Sequence, residues 1–199
     1  GRIFDQDLAG NEEVRAAETH EADPALRAEH AEHLHAGEDP HVWLNPKYAK
    51  ILAANVTSAL RRIHPEQAGE YEARLAALEA ELDSLDVEVA AALAPVRGRD
   101  LLVDHPFYGY LADAYGLRQV AIEVGGFKPG SKYLTRLVER ARSGGVQAVF
   151  VQDGAATASA ESVAREIGAR VVALDPMSRD YAGNLRRMAL RIRDGILGK

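Results

Sequence analysis

Five of the seven histidines in this chain, His20, His30, His33, His35 and His41, fall just before or inside one short stretch. Imidazole is the commonest metal ligand among side chains. The stretch ends in Asp39-Pro40-His41-Val42-Trp43-Leu44-Asn45-Pro46, which holds the only tryptophan. Pro40 fixes the backbone immediately before His41. Asn45 and Pro46 have the order of a helix N-cap followed by a proline at the first helical position. His41 is therefore expected on a stiffened turn between an acidic, histidine-bearing loop and a helix start. That placement suits a ligand better than a core histidine. The chain has no cysteine, so a bound metal must be held by His, Asp, Glu or water. Nitrogen and oxygen donors without sulfur fit Zn²⁺ or Mn²⁺.

The elements that must position these groups can be read from periodicity. Residues 1 to about 40 are polar and acidic and read as loop or loose helix. After Asn45, the apolar residues Tyr48, Ile51, Leu52, Val56, Leu60 and Ile63 recur at helical steps, and His64-Pro65 ends that pattern. Leu75, Leu78, Leu82, Leu85 and Val89 then continue at three- and four-residue steps, with no Gly or Pro between Gly69 and Pro95. Such a helix would be roughly 40 Å long. It is either a coiled-coil strand or a spine running the length of a two-lobed protein. From residue 99, short apolar runs at Leu101–Val103, Gln119–Ile122, Ala148–Val151 and Val171–Leu174 alternate with amphipathic segments over 107–115, 131–142, 159–167 and 180–197. Gly116, Gly144-Gly145 and Gly168 stand where those helices should end. The alternation predicts a four-stranded parallel sheet wrapped by helices, an α/β fold.

Ligands of open α/β sheets bind beyond the carboxyl ends of the strands. The residues there are Asp104-His105, Glu123, Gln152-Asp153 and Asp175. Helix starts want aspartate anyway, which is the plainer reading of Asp104, Asp153 and Asp180. Histidine is a poor cap, and His105 is followed by Pro106 and an apolar segment; Asp175-Pro176 is likewise a stiff turn. His105 and Asp175 are read as ligands by position. Glu123 is either a third or a residue that precedes a loop shaped by Gly125-Gly126.

Bulk composition sets the remaining bounds. At 199 residues, 47% hydrophobic and 27% charged, the chain has the make-up of a globular protein of ordinary size. A formal charge of −6 with no clustered basic stripe argues against a nucleic-acid partner. No run of ~18 apolar residues offers a membrane span. Gly1-Arg2-Ile3-Phe4 has neither an initiator Met nor an apolar leader, so a trimmed or processed start is expected.

Four segments in register then carry a resemblance. Asp39-Pro40-His41-Val42-Trp43-Leu44-Asn45-Pro46 resembles the DPHxWL(D/N)P signature of the zinc/manganese (ZnuA-like) substrate-binding proteins of bacterial ABC importers. Asp104-His105-Pro106-Phe107-Tyr108-Gly109-Tyr110-Leu111, with Tyr115-Gly116-Leu117 behind it, is similar to the second signature, although Pro106 stands where the family more often has a polar residue. Val149-Phe150-Val151-Gln152 and Leu174-Asp175-Pro176-Met177, with Tyr181 and Asn184, match the late segments. The resemblance implies two α/β lobes joined by one rigid helix, with the metal between them. It implies a division into 1–64, the remnant of a first lobe with its histidine loop; 65–96, the linking helix; and 97–199, the C-terminal α/β lobe. Most of the first lobe and its early histidine have no counterpart here.

The resemblance further implies metal-ligand roles for His41, His105 and Asp175. It implies a non-enzymatic receptor that passes metal to the membrane permease of an ABC importer, periplasmic or extracellular, with lipoprotein anchoring as one form. Manganese members tend to carry a carboxylate in place of His105, and imidazole suits zinc better than manganese. Zn²⁺ is thus favoured over Mn²⁺. Histidines bind metal when neutral, so affinity should fall below about pH 6.5. His20, His30, His33 and His35 form either an auxiliary collecting loop for metal, a habit of zinc members, or a solvated charged face.

Three other classes compete. A His- and Asp-bound zinc with a free water position is competent for hydrolysis, but there is no H-E-x-x-H; His30-Ala31-Glu32-His33 is only superficially similar. Gly125-Gly126-Phe127-Lys128-Pro129-Gly130-Ser131-Lys132 has P-loop flavour with Lys and Ser reversed and Pro129 removing an N–H. It is read as a helix entry capped by Ser131, without nucleotide. A scaffold with an opened cleft, binding metal weakly, is the last.

Overall fold

A stiff pair of helices leads the chain from the histidine turn into the sheet. The computed structural model describes residues 39–123, 130–155 and 157–199. The loop histidines His20, His30, His33 and His35, and most of the glycine-rich segment from Gly125 to Pro129, lie outside the described residues. A single 3-10 turn, Val42–Leu44, precedes α1, Pro46–Ile63. The Asn45 side chain accepts from the Lys47 N–H and Pro46 occupies the first helical position. These are the two start signals expected from sequence. His64 and the 3-10 turn Pro65–Gln67 reverse the chain into α2, Ala68–Leu93, which at 26 residues spans roughly 39 Å. Lys50 meets Asp83 at 2.7 Å and Arg61 meets Glu72 at 3.1 Å, so α1 and α2 run antiparallel.

The apolar stripe of α2 changes character along its length. Leu82, Leu85, Val89 and Leu93 are buried, whereas Leu78 is exposed. The buried half is the half that meets the sheet and its last helix. On α1, Val56 and Ile63 stay exposed among the described residues, so its apolar face is only partly covered. This distribution does not suit a uniform coiled-coil seam.

Four strands follow: β1 (Asp100–Val103), β2 (Arg118–Ala121), β3 (Ala148–Gln152) and β4 (Arg170–Leu174). They pair in the order β2-β1-β3-β4, all parallel. The helices between and after them are α3 (Gly109–Ala114), α4 (Ser131–Ser143), α5 (Ala158–Ile167) and α6 (Tyr181–Ile196). Alternate strand residues serve two cores because successive side chains point to opposite faces. Leu101, Val103, Ala121, Ala148 and Phe150 join α2, α3 and α6 in one. Leu102, Val120, Val149 and Val151 join α4 and α5 in the other. A Cβ on Gly195 would lie 2.6 Å from the Phe150 ring, so α6 reaches the sheet only because residue 195 has no side chain. The expected terminators hold for Gly116, Gly145 and Gly168, all left-handed.

Two expectations need correction. Ser131 is the first residue of α4 and not its cap; Gly130 takes the cap position and makes no side-chain bond. The segment 107–115 is helical only from Gly109 to Ala114. The Tyr108 N–H donates to Gln119 Oε1 at 2.6 Å. That side-chain acceptor leaves Phe107 and Tyr108 free to turn away from the helix.

Burial in the first core sets an alkaline limit on stability. Burial, then the Asp86 carboxylate, raises Tyr115 above the usual tyrosine range. Burial alone pushes Tyr181 up to about 12. The unfolded chain releases these protons near pH 10, so above that pH it binds fewer protons than the native state. Stability is then full below about pH 10 and falls as pH rises through the folded values. Urea unfolding at about pH 8 and about pH 11 should give a lower midpoint at the higher pH. A Tyr181→Phe variant should lose less between the two.

Candidate metal centre

In the order β2-β1-β3-β4 the chain reverses its winding direction between β1 and β3. That is the switch point where a crevice opens beyond the carboxyl ends. His105 follows β1 at this point. Asp104 beside it is 4% exposed and accepts from both the N–H and the hydroxyl of Thr157, at 3.1 and 2.8 Å. Thr157 in turn caps α5. Asp104 is therefore no cap of its own helix. It ties the end of β1 to the start of α5 and fixes the backbone that carries His105.

His41 reaches the same edge from the turn before α1. The His41 and His105 ring centres are 5.9 Å apart and nearly perpendicular. Zn–N bonds of about 2.0–2.1 Å would put two imidazoles of one tetrahedral ion roughly 5 Å apart, centre to centre. Phe107 packs against both rings, at 4.4 Å from His41 and 4.6 Å from His105. The departure of Phe107 from helical geometry thus places an apolar wall beside the pair.

Each ring is held through the same nitrogen. His41 Nδ1 is 2.6 Å from Asp39 Oδ1, and His105 Nδ1 is 2.9 Å from Glu123 Oε2. A carboxylate on Nδ1 fixes the ring and leaves Nε2 as the free donor. Metal-ligating histidines have this outer-shell partner as a rule. The Asp39 oxygen also accepts from the His41 N–H at 2.9 Å, a local turn that Pro40 stiffens. Glu123 is thus engaged with His105, and Asp39 plays the matching part for His41. Sequence reasoning missed Asp39. Its signal was the Asp-x-His spacing, which puts a carboxylate two residues before the ring it orients.

Asp175 stands apart from this pair. Its Oδ1 accepts from the Met177 N–H at 2.9 Å, and its carbonyl accepts from Asn184 Nδ2 at 2.6 Å. Among the described residues, no three His, Asp or Glu side chains are grouped to hold one ion. The structure brings His41 and His105 together and leaves Asp175 on a neighbouring turn. Two cross-ties nevertheless join the His41 turn to the Asp175 loop and α6. Trp43 Nε1 donates to the Pro176 carbonyl at 3.0 Å, and the Tyr181 hydroxyl donates to the Trp43 carbonyl at 2.7 Å. A hollow of about 280 Å³ beside them, lined by Trp43, Pro176, Met177 and Met188 among others, includes neither histidine.

Gly109 shapes the pair from outside. A Cβ there would sit 2.9 Å from Asp39 Oδ2. Gly109→Ala should therefore swing the Asp39 carboxylate away and release the His41 ring. Loss of such an outer-shell partner costs about 10–100-fold in metal affinity. Zinc titration of Gly109→Ala should show a loss in that range with little change in melting temperature. Unaltered affinity would mean that Asp39 does not orient the ring.

A family model described as zinc-uptake complex component A, periplasmic, matches residues 2–195. The zinc-binding protein AdcA of Streptococcus pyogenes serotype M3 is 26% identical over 198 residues, which cover 90% of this chain and 38% of AdcA. The high-affinity zinc uptake system protein ZnuA of Brucella abortus is 31% identical over 165 residues, 78% of this chain and 49% of that protein. A crystal structure of ZnuA superposes with a TM-score of 0.76 at 37% identity, covering 79% of this chain and 62% of the other. A ZnuA deletion mutant with zinc bound gives the same score and identity over 81% of this chain. The chain thus spans half or less of the length of these two relatives. The family model takes in all but the first residue and the last four, and the chain belongs to the zinc-uptake complex component A (ZnuA) family.

Proposed function

We propose that this chain captures Zn²⁺ at His41 and His105, with Asp175 completing the set, and delivers it to the membrane permease of an ABC importer. The observation that carries the reading is the pair of imidazoles 5.9 Å apart, each tied through Nδ1 to its own carboxylate. Two imidazole donors this close together suit zinc better than manganese. The relatives named as zinc-binding and zinc-uptake proteins support the same cargo. Water or another side chain would complete a tetrahedral site. The histidine loop, His20 to His35, would collect metal ahead of the cleft.

Binding without turnover is the role we assign. The two carboxylates beside the histidines are both engaged in orienting rings, which leaves them poorly placed as general bases for a bound water. The protein would work in the periplasm or, lipid-anchored, at the outer cell surface. Among the described residues no helix is long and apolar enough to cross a membrane.

Calorimetric titration of this chain with zinc, repeated in the presence of manganese, tests the reading. One tight zinc site that manganese does not displace is the expected result. Preferential manganese binding, or no zinc binding, would overturn it.

A further inference from the structure

The Phe107 ring packs against both imidazoles, 4.4 Å from His41 and 4.6 Å from His105, centre to centre. The two imidazoles are 5.9 Å apart, so Phe107 lies nearer to each than they lie to each other. The backbone holds it there. The Phe107 N–H donates to the His105 carbonyl at 2.8 Å, closing a three-residue turn with Pro106 at its centre. The inverse form of such a turn has a central φ of about −75°, close to the value that a proline ring fixes. On the other side the Tyr108 N–H donates to Gln119 Oε1, and Tyr108 is 1% exposed. Phe107 is thus carried between a stiff turn and a buried anchor.

That position bears on any ion the two histidines share. An imidazole nitrogen holds zinc at about 2.0–2.1 Å, which sets the ion roughly 3 Å from the ring centre. Two rings at the observed separation therefore share an ion only close to the line between their centres. The Phe107 centre stands almost equally far from the two ends of that line, so the shared ion falls within about 5 Å of it. A water ligand between ion and ring would need about 2.1 Å to the metal and about 3.5 Å to the nearest ring carbon. The gap is too short for both. Phe107 closes one sector of the ion's surroundings to water.

Zinc has no geometric preference from its d electrons and accepts four ligands, whereas manganese takes six, mostly oxygen. We propose that Phe107 is a specificity-determining residue, which holds an ion at His41 and His105 to a low coordination number and so selects zinc against six-coordinate, water-rich manganese. This rests on the reading of the two histidines as ligands and needs nothing of Asp175. The imidazoles favour zinc by donor type, and Phe107 adds a second filter by space.

The test uses Phe107→Ala and Phe107→Leu in the whole chain, with zinc, manganese and cobalt(II) as probes. Cobalt(II) absorbs visible light strongly when four-coordinate and weakly when six-coordinate, so it reports the coordination number directly. The wild type should give the strong bands. Phe107→Ala should give weak ones and lower the ratio of zinc to manganese affinity by roughly tenfold, the effect of a group just outside the ligand shell. Phe107→Leu keeps apolar bulk in the same sector and should stay close to the wild type in both. Strong bands and an unchanged ratio in Phe107→Ala overturn the inference and leave the histidine pair intact. Weak cobalt bands in the wild type do the same, and so does a Phe107→Leu that matches Phe107→Ala, since bulk is then not the cause. A Phe107→Ala that weakens zinc and manganese equally, with a lowered metal-free melting temperature, assigns the ring a purely structural role and overturns it as well. If the wild type binds none of the three metals, the histidine-pair reading fails and the inference with it.

Discussion

His105→Ala should lower zinc affinity by more than the roughly 100-fold that marks the upper end of losing an outer-shell partner. The substitution removes one of the two imidazoles that the described fold brings within 5.9 Å of each other, centre to centre. It also leaves the Glu123 carboxylate without the ring it orients. Water cannot replace the lost donor at comparable strength, since imidazole is a far better zinc ligand than a neutral oxygen. The His105 side chain is 38% exposed, so its loss opens no cavity and folding should be almost unaffected. Chelator competition measures the affinity and a thermal melt of the metal-free protein checks the fold. Affinity within about threefold of the wild type would remove His105 from the site and, with it, the role of the switch point.

Leu85→Ala should be strongly destabilising. Leu85 is fully buried in the stretch of α2 that meets the sheet core, with Leu82, Val89 and Leu93 along the same stripe. Truncating such a leucine costs about 2–5 kcal/mol, through lost transfer energy and the cavity left behind. A whole domain has only about 5–15 kcal/mol to lose. For a chain of this size the melting temperature should fall by roughly 4–20 °C. Val87, two residues away and 68% exposed, supplies the control, since surface changes stay within about 0.5 kcal/mol. Urea unfolding should show the midpoint shifted for Leu85→Ala with an unchanged slope, and scarcely shifted for Val87→Ala. Equal shifts would mean that the stripe is not the seam between α2 and the sheet.

Most of this architecture is legible before any coordinates. The strands read from apolar runs lie within a residue or two of those observed, because a parallel sheet covered on both faces needs short uninterrupted apolar segments. Asn45-Pro46 and the glycines at 116, 145 and 168 carry local backbone rules that hold regardless of tertiary context. What escapes the sequence is what distant contacts decide. Phe107 and Tyr108 have the composition of a helical turn, but the Gln119 side chain captures the Tyr108 N–H from eleven residues away. Glu123 looks like one more acid at the sheet edge until His105 is seen to hold it. Asp104 has the look of a cap and proves to be a buried tie to Thr157. The position of Asp175 relative to the histidines is likewise beyond spacing arguments, since more than a hundred residues and four strands separate it from His41.

The cross-tied tryptophan gives the centre a voice of its own. Trp43 is the only indole in the chain, and its ring centre is 5.4 Å from that of His41. A divalent charge arriving at His41 would therefore enter the immediate electrostatic surroundings of a single fluorophore, whose N–H is pinned to the Pro176 carbonyl. Its emission needs no separation from other indoles and no attached label. Metal loading, release and the kinetics of both would then be readable from the light that one side chain emits.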